Sequence, residues 1–276
     1  MSNCVPQATF RRACRARRRW AIVNGLPPVA SGSRGGNTPR AVPLFLTLEG
    51  IEGCGKSTQA ARIAAHLRGK GTEIVVTREP GGTEVTAQIR SLLADPRSNL
   101  DPSAELLLFM ADRAQHVASV ILPALDSGKT VICDRYSDST MAYQGYGRGH
   151  DLAWLEELNL FASRGVVPDL TLWIDCEVRV GLGRAKTRSG GPGDRFEAEP
   201  LAFHERIRNG FVALHSAHPE RIVRIEGNAA EDAVTLACIA AVEAGLAAAA
   251  ASPAAESGTG AGTESSAPAR RAHPRR

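Results

Sequence analysis

Three glycines, a lysine and a serine within eight residues carry the densest chemical signal in the chain: Gly50-Ile51-Glu52-Gly53-Cys54-Gly55-Lys56-Ser57. The apolar run Leu44 to Leu48 precedes them, and the helix-compatible stretch Thr58 to Leu67 follows. This is the G-x-x-x-x-G-K-S spacing of a phosphate-binding P-loop. Glycine lets the backbone wrap phosphate oxygens where a side chain would clash. The loop N–H groups and the start of the following helix then supply donors to the anion. Lys56 is expected to reach the β/γ-phosphates of a nucleoside triphosphate, and the Ser57 hydroxyl to hold Mg²⁺. Gly50, Ile51, Glu52, Gly53, Cys54, Gly55 and Thr58 complete the expected nucleotide-binding set.

A second group of residues stands where apolar runs end. Asp134 closes Thr130-Val131-Ile132-Cys133, the place for a Walker-B-type carboxylate that would steer Mg²⁺ together with Ser57; a turn-capping Asp is the plainer reading. Arg135 follows it, either pairing with Asp134 or holding a second anionic phosphate through its forked donors. Arg78 and Glu79 end another run, ahead of the turn Pro80-Gly81-Gly82. Phe109 and Arg113 are four apart in a helical stretch, so they share a face that is either core or a stacking surface with a donor beside it. Arg184, Arg188 and Arg195 surround Ser189-Gly190-Gly191-Pro192-Gly193. That segment reads as a solvated loop or as a lid that excludes water and brings arginine to a transferring group.

The elements that must position these groups alternate. Strands are expected at Leu44 to Leu48, Glu73 to Arg78, Thr130 to Asp134, Leu170 to Asp175 and Arg221 to Ile225. Helices are expected after the P-loop, at Thr83 to Leu93, from Asp101-Pro102 through Leu125, and at Asp151 to Ala162. Three more follow at Val178 to Lys186, Pro200 to His215 and Ala230 to Gly245. Short apolar strands separated by helices imply an α/β fold with a five-stranded, mostly parallel sheet and helices on both faces, a three-layer P-loop fold. Ligands then sit at the carboxyl ends of the strands.

Charge is unevenly spread over the 276 residues. Residues 1–40 hold eight Arg and no acid, and residues 247–276 hold four Arg against Glu256 and Glu264. The part between is mildly acidic, which gives no support to a broad nucleic-acid-binding surface. Residues 1–42 and 247–276 lack apolar periodicity and are expected to be disordered ends around one domain, 43–246. The arginine cluster from Arg11 to Arg19 also has the look of a targeting segment, but its apolar part breaks at Asn24-Gly25. Six scattered cysteines without C-x-x-C argue against zinc and for reduced thiols in a cytoplasmic compartment. Nothing reads as a membrane span; Ala233 to Ser252 is interrupted by Glu243 and reads as a helix covering the sheet.

Taken together, Glu49 to Thr58, Thr77-Arg78-Glu79-Pro80-Gly81-Gly82-Thr83, Phe109-Met110-Ala111-Asp112-Arg113, Asp134-Arg135-Tyr136, Ser139-Thr140 and Ala142-Tyr143-Gln144-Gly145 resemble the thymidylate kinase family over about residues 43–246. The resemblance implies transfer of the γ-phosphoryl group of ATP to dTMP with Mg²⁺, in a homodimer. It puts Glu52 near the acceptor's 3′-hydroxyl and Glu79-Pro80 at the sugar. Phe109 would stack on thymine, Arg113 would bond its edge, and Ser139 and Thr140 would line the base pocket, with Gln144 in the same set. Arg78 and Arg135 would hold the 5′-phosphate, and Tyr143 would disfavour a 2′-hydroxyl. Family members carry a basic residue either in the P-loop or on the lid. Cys54 makes this chain resemble the second kind, with Lys56, Arg135, Arg184, Arg188 and Arg195 as the groups acting on the transferring phosphoryl. A kinase for another nucleotide or a deoxynucleoside, and a non-catalytic P-loop switch, are the alternatives; a switch needs no acceptor pocket.

Overall fold

The computed structural model describes residues 43–189 and 193–251. The expectations for 1–42, for Gly190-Gly191-Pro192 and for 252–276 lie outside the described residues. Five strands, β1 (Phe45–Glu49), β2 (Ile74–Arg78), β3 (Thr130–Asp134), β4 (Leu170–Asp175) and β5 (Ile222–Glu226), form one sheet in the order β2-β3-β1-β4-β5. Every pairing is parallel.

The alternation of side chains along β1 explains the layers. Phe45 joins one apolar cluster with Val117, Ile121, Val131 and Tyr136. Leu46 and Leu48 join another with Ile63, Leu67, Leu172 and Phe211. Successive side chains point to opposite faces, so a strand buried on both sides must be apolar throughout. All of β1 and β4 is buried. Of the polar exceptions, Thr47 and Thr171 satisfy one another through hydroxyls 2.8 Å apart, while Glu49 and Asp175 close the two strands at their carboxyl ends.

Helix α1 (Lys56–Gly69) connects β1 to β2, and α2 (Glu84–Ala94) follows a capping box of Thr83 with Thr86. The long helix expected from Asp101-Pro102 is divided. It runs as α3 (Pro102–His116), a π-helical turn (Val117–Ile121) and α4 (Leu122–Asp126). Pro123 has no N–H to give to the preceding turn, and a widened turn accommodates that loss. Beyond β3 come the short α5 (Ser137–Thr140) and a second π-helical stretch, Met141–Gly147. Then follow α6 (Leu152–Ala162), α7 (Val178–Ser189), α8 (Leu201–Ala217) and α9 (Glu231–Ala251). Helix α9 covers β4, β5 and α1, as its composition suggested, but runs beyond Gly245 because alanine propagates a helix readily. The domain end expected at 246 therefore sits inside a helix. Among the described residues, no helix is long and apolar enough to cross a membrane.

With β1 flanked by β3 on one side and β4 on the other, the connection from β1 runs toward β2 and that from β3 toward β4, so the two leave neighbouring strand ends in opposite directions. That crevice is where the P-loop lies.

Candidate active site

The loop between β1 and α1 is shaped by close approach. A Cβ on Gly53 would stand 1.9 Å from the Gly181 carbonyl oxygen, and Gly53 has φ +67°. Gly55 caps α1 at φ +102° without a side-chain cap, and the first turn of that 14-residue helix, Lys56 to Thr58, lines the pocket, where its N–H groups are available to an anion. Lys56 folds back over the loop, its Nζ donating to the carbonyls of Gly50 (3.1 Å) and Ile51 (2.7 Å) and approaching Cys54 Sγ at 3.5 Å. Ser57 Oγ donates to Asp134 Oδ2 at 2.5 Å. Two hard oxygen donors converge here beside the phosphate loop, the set that Mg²⁺ takes when phosphate oxygens and water fill its other positions. Thr58 lines the same pocket.

Across the pocket, the turn after β3 is held by a buried carboxylate. Arg135 has φ 72°, uncommon outside glycine. Its N–H bonds to Leu48 O at 3.0 Å, while Glu49 accepts from Tyr136 N at 2.8 Å and from Ser139 Oγ at 2.5 Å. Burial, with Asp138 nearby, pushes the Glu49 carboxyl up. The Arg135 guanidinium gives Nη1 to Gly50 O (2.8 Å) and Ser139 Oγ (3.2 Å), and Nη2 to Glu52 Oε1 (3.1 Å). Tyr143 donates its hydroxyl to the same Glu52 oxygen at 2.5 Å and lies under Arg135, 4.8 Å from ring centroid to guanidinium. Burial works against ionising Glu52, but His204, Arg135, Lys56 and Tyr143 outweigh it and hold its pKa at about 2. His204 Nδ1 stands 3.3 Å from Glu52 Oε2 without hydrogen-bond geometry.

Glu79, joined to Pro80 by a cis peptide, is buried and lines the pocket. It accepts from Arg113 Nε (2.9 Å), forms an ion pair with Nη2 (2.8 Å) and sits 2.9 Å from His116 Nδ1. Arg113 Nη1 donates to Thr140 Oγ1 at 2.9 Å and to Asn159 Oδ1. Phe109 lies between the core and the pocket. It packs on Leu106 and Met110, and it lines the pocket 6.0 Å from Phe196. Arg78 is exposed into the pocket, and Gln144 lines it from the second π-helical stretch.

The three lid arginines part company. Arg188, in the last turn of α7, lines the pocket, its side chain 67% exposed and 3.6 Å from Glu197. Arg184 turns outward instead, donating to Gly227 O at 3.0 Å. Arg195 is committed elsewhere, with Nη1 2.6 Å from Glu105 and Nε donating to Leu93 O at 3.1 Å. Neither of the last two lines the pocket, Arg184 being held at Gly227 and Arg195 drawn to Glu105.

Several residues were not singled out from the sequence. Arg90 lines the pocket near Arg78 and donates to Pro80 O at 3.0 Å. Glu105 and His116 lie on one face of α3 with Phe109 and Arg113, at spacings of four, four and three, a pattern that was available. His204 and Asn159 reach the site from α8 and α6, with no local signal.

A family model described as "Thymidylate kinase" matches residues 48–236. A thymidylate kinase of Citrifermentans bemidjiense is 52% identical over 190 residues, covering 67% of this chain and 84% of the relative. One of Desulfovibrio desulfuricans is 49% identical over 209 residues, covering 74% and 96%. The crystal structure of thymidylate kinase from Ehrlichia chaffeensis superposes with a TM-score of 0.57 at 35% identity, covering 72% of this chain and 98% of that one. The matched span runs from the end of β1 into α9 and so contains the P-loop, the β3 turn and the pocket between them: the chain belongs to the thymidylate kinase family.

Proposed function

We propose that this kinase moves the γ-phosphoryl group of ATP onto the 5′-phosphate of dTMP, giving dTDP and ADP on the way to dTTP, with the residues of the pocket in the following roles. The P-loop N–H groups and Lys56 bind the triphosphate, and Lys56 must trade its loop carbonyls for phosphate oxygens. Ser57 and Asp134 would hold Mg²⁺, which when bound neutralises charge between the β- and γ-phosphates. Arg78 and Arg135 hold the acceptor phosphate; Arg90 stands beside them. Phe109 stacks on the base, while Arg113, Ser139, Thr140 and Gln144 surround it. Glu79 and Pro80 shape the sugar site, Glu52 faces the 3′-hydroxyl, and Tyr143 crowds a 2′-hydroxyl. Arg188 is the lid cation.

One observation carries this reading: a P-loop faces a cluster of guanidinium groups across a single pocket. A phosphate monoester is largely ionised at neutral pH and needs charge neutralisation and alignment rather than a general base. Glu52 fits that requirement, since a carboxylate held near pKa 2 is a poor proton acceptor at pH 7. A coupled assay with ATP, Mg²⁺ and dTMP, dUMP, dCMP, dGMP or thymidine tests it. dTMP should react fastest and thymidine not at all; thymidine turnover, or ATP hydrolysis indifferent to the acceptor, overturns the reading.

We also propose a cytoplasmic homodimer. Free, buried Cys54, Cys133, Cys176 and Cys238 suit a reducing compartment. The neighbouring helices α3 and α6 expose Leu107, Trp154, Leu160 and Phe161, apolar surface that a second copy would cover. Phe161→Asp should shift sedimentation toward a monomer if that face is used.

A further inference from the structure

Gln144 has an amide whose two ends are chemically opposite, and a neighbour decides which end meets the pocket. Its Nε2 donates to Glu105 Oε1 at 2.8 Å. Glu105 is 1% exposed and accepts three further bonds: Arg148 Nε on Oε1 and Nη2 on Oε2, both at 3.1 Å, and Arg195 Nη1 on Oε2 at 2.6 Å. Burial disfavours its charge, but Arg148 and Arg195 outweigh that and hold its pKa below the usual carboxylate value. An ionised carboxylate only accepts. A flipped amide would set oxygen against oxygen in a buried place, so the Gln144 orientation follows from the charge on Glu105 rather than from the amide itself.

We propose that Glu105 is a positioning residue for base selection: by taking the Gln144 N–H, it commits the Gln144 carbonyl oxygen to the pocket and makes the site select a pyrimidine edge bearing a ring N–H. The inference rests on the base lying beside Phe109, Arg113 and Gln144, as proposed above. Arg113 supplies the complementary half. Its Nε donates to Glu79 and Nη1 to Thr140 and Asn159, while Nη2 pairs with Glu79 as an ion and keeps an N–H to offer. One acceptor from Gln144 and one donor from Arg113 match the N3–H and O4 of thymine or uracil. Cytosine presents a bare N3 and an amino group, so both contacts oppose it. The four-donor arrangement on Glu105 also gives Arg195 a function outside the pocket, as part of what keeps Glu105 ionised.

The experiment measures kcat/KM for dTMP, dUMP and dCMP with the full chain carrying Glu105→Gln or Gln144→Leu. In Glu105→Gln the neighbour can donate or accept, so Gln144 is free to turn. The dTMP:dCMP ratio should fall by at least ~10-fold, the scale of one buried unmatched polar contact. The dTMP:dUMP ratio should stay put, because those two bases share the same edge; a general loosening of the site would move both. Gln144→Leu should lower the dTMP:dCMP ratio likewise. If Gln144→Leu lowers it while Glu105→Gln leaves it unchanged, the base site stands and the role of Glu105 is refuted. If Gln144→Leu leaves it unchanged, the base does not meet Gln144, and both readings fail. Should Glu105→Gln not fold, Glu105→Asp keeps the charge facing the arginines, withdraws the oxygen by one methylene and carries the same expectation.

Discussion

Arg188→Ala tests the lid reading most directly, because the geometry separates its effect on stability from its effect on rate. The Arg188 side chain is 67% exposed, and its ion pair with Glu197 is 3.6 Å long. Exposed pairs contribute about 0–1 kcal/mol, so the variant should melt within a few degrees of the parent. In the transition state the charge relation differs. Two unit charges ~4 Å apart at an effective dielectric near 20 interact by ~4 kcal/mol. Only the charge that develops during transfer counts, which leaves ~3 kcal/mol, or about 10²-fold in kcat. Steady-state kinetics with dTMP and ATP should therefore show kcat falling ~10²-fold with dTMP affinity barely changed. Arg195→Ala is the control. It leaves Glu105 buried with Arg148 as its remaining cation beside the Gln144 amide, so it should cost ~2 kcal/mol of stability, below the loss for a fully broken buried pair. Unchanged kcat in Arg188→Ala, or a loss of dTMP affinity instead, refutes the assignment. A fully stable Arg195→Ala that loses ~10²-fold in kcat would transfer the role to Arg195.

Lys56→Ala should lower turnover by about 10²–10⁴-fold while circular dichroism stays unchanged, since its Nζ bonds only loop carbonyls and Cys54 in the described structure. Arg135→Leu should depress kcat/KM for every monophosphate by a similar factor, a contact blind to the base; Arg113→Leu should relax the preference for thymine over cytosine. The latter also leaves Glu79 buried beside His116 alone, so its melting temperature should drop by the equivalent of ~3–5 kcal/mol. Asp112 offers a pH test. Burial, then Glu79, raises its pKa from 3.8 to about 7. Between those values the native state holds a proton that the unfolded chain has released, so this group's contribution to stability falls as pH rises from about 4 to 7 and is flat above. Asp112→Asn should flatten that slope in denaturant titrations across pH 5–8; an unchanged slope refutes the assignment. A chain of residues 43–251 should keep dTMP turnover within about threefold, roughly 0.7 kcal/mol, since the ends lack the apolar periodicity needed to pack against the site; a hundredfold loss refutes this.

What the sequence disclosed about this site divides by the range of the interaction that creates it. The P-loop was legible because its chemistry is local: Gly53 and Gly55 are required by the torsions and close approach at their own positions, and Lys56 acts on a loop six residues long. The strands were legible because burial on both faces keeps β1 and β4 apolar apart from the two paired threonines and the carboxylates Glu49 and Asp175 that end them. Arg135, Arg184 and Arg195 show where that ends. All are arginines in or beside short loops, indistinguishable by composition. Their different fates come from partners 83, 43 and 90 positions away: Glu52 for Arg135, the Gly227 carbonyl for Arg184, and Glu105 for Arg195. The second π-helical stretch is the harder case. It has no apolar period to announce it, yet it brings Tyr143 to Glu52 and Gln144 to Glu105. Both side chains are fixed by carboxylates from other elements. Under the proposed base site, the polarity that Gln144 presents is thus set at second remove, by the charge on Glu105, which does not line the pocket. A reading of the pocket residues alone would identify Gln144 and still leave its polarity undetermined, since an isolated glutamine amide offers either end equally.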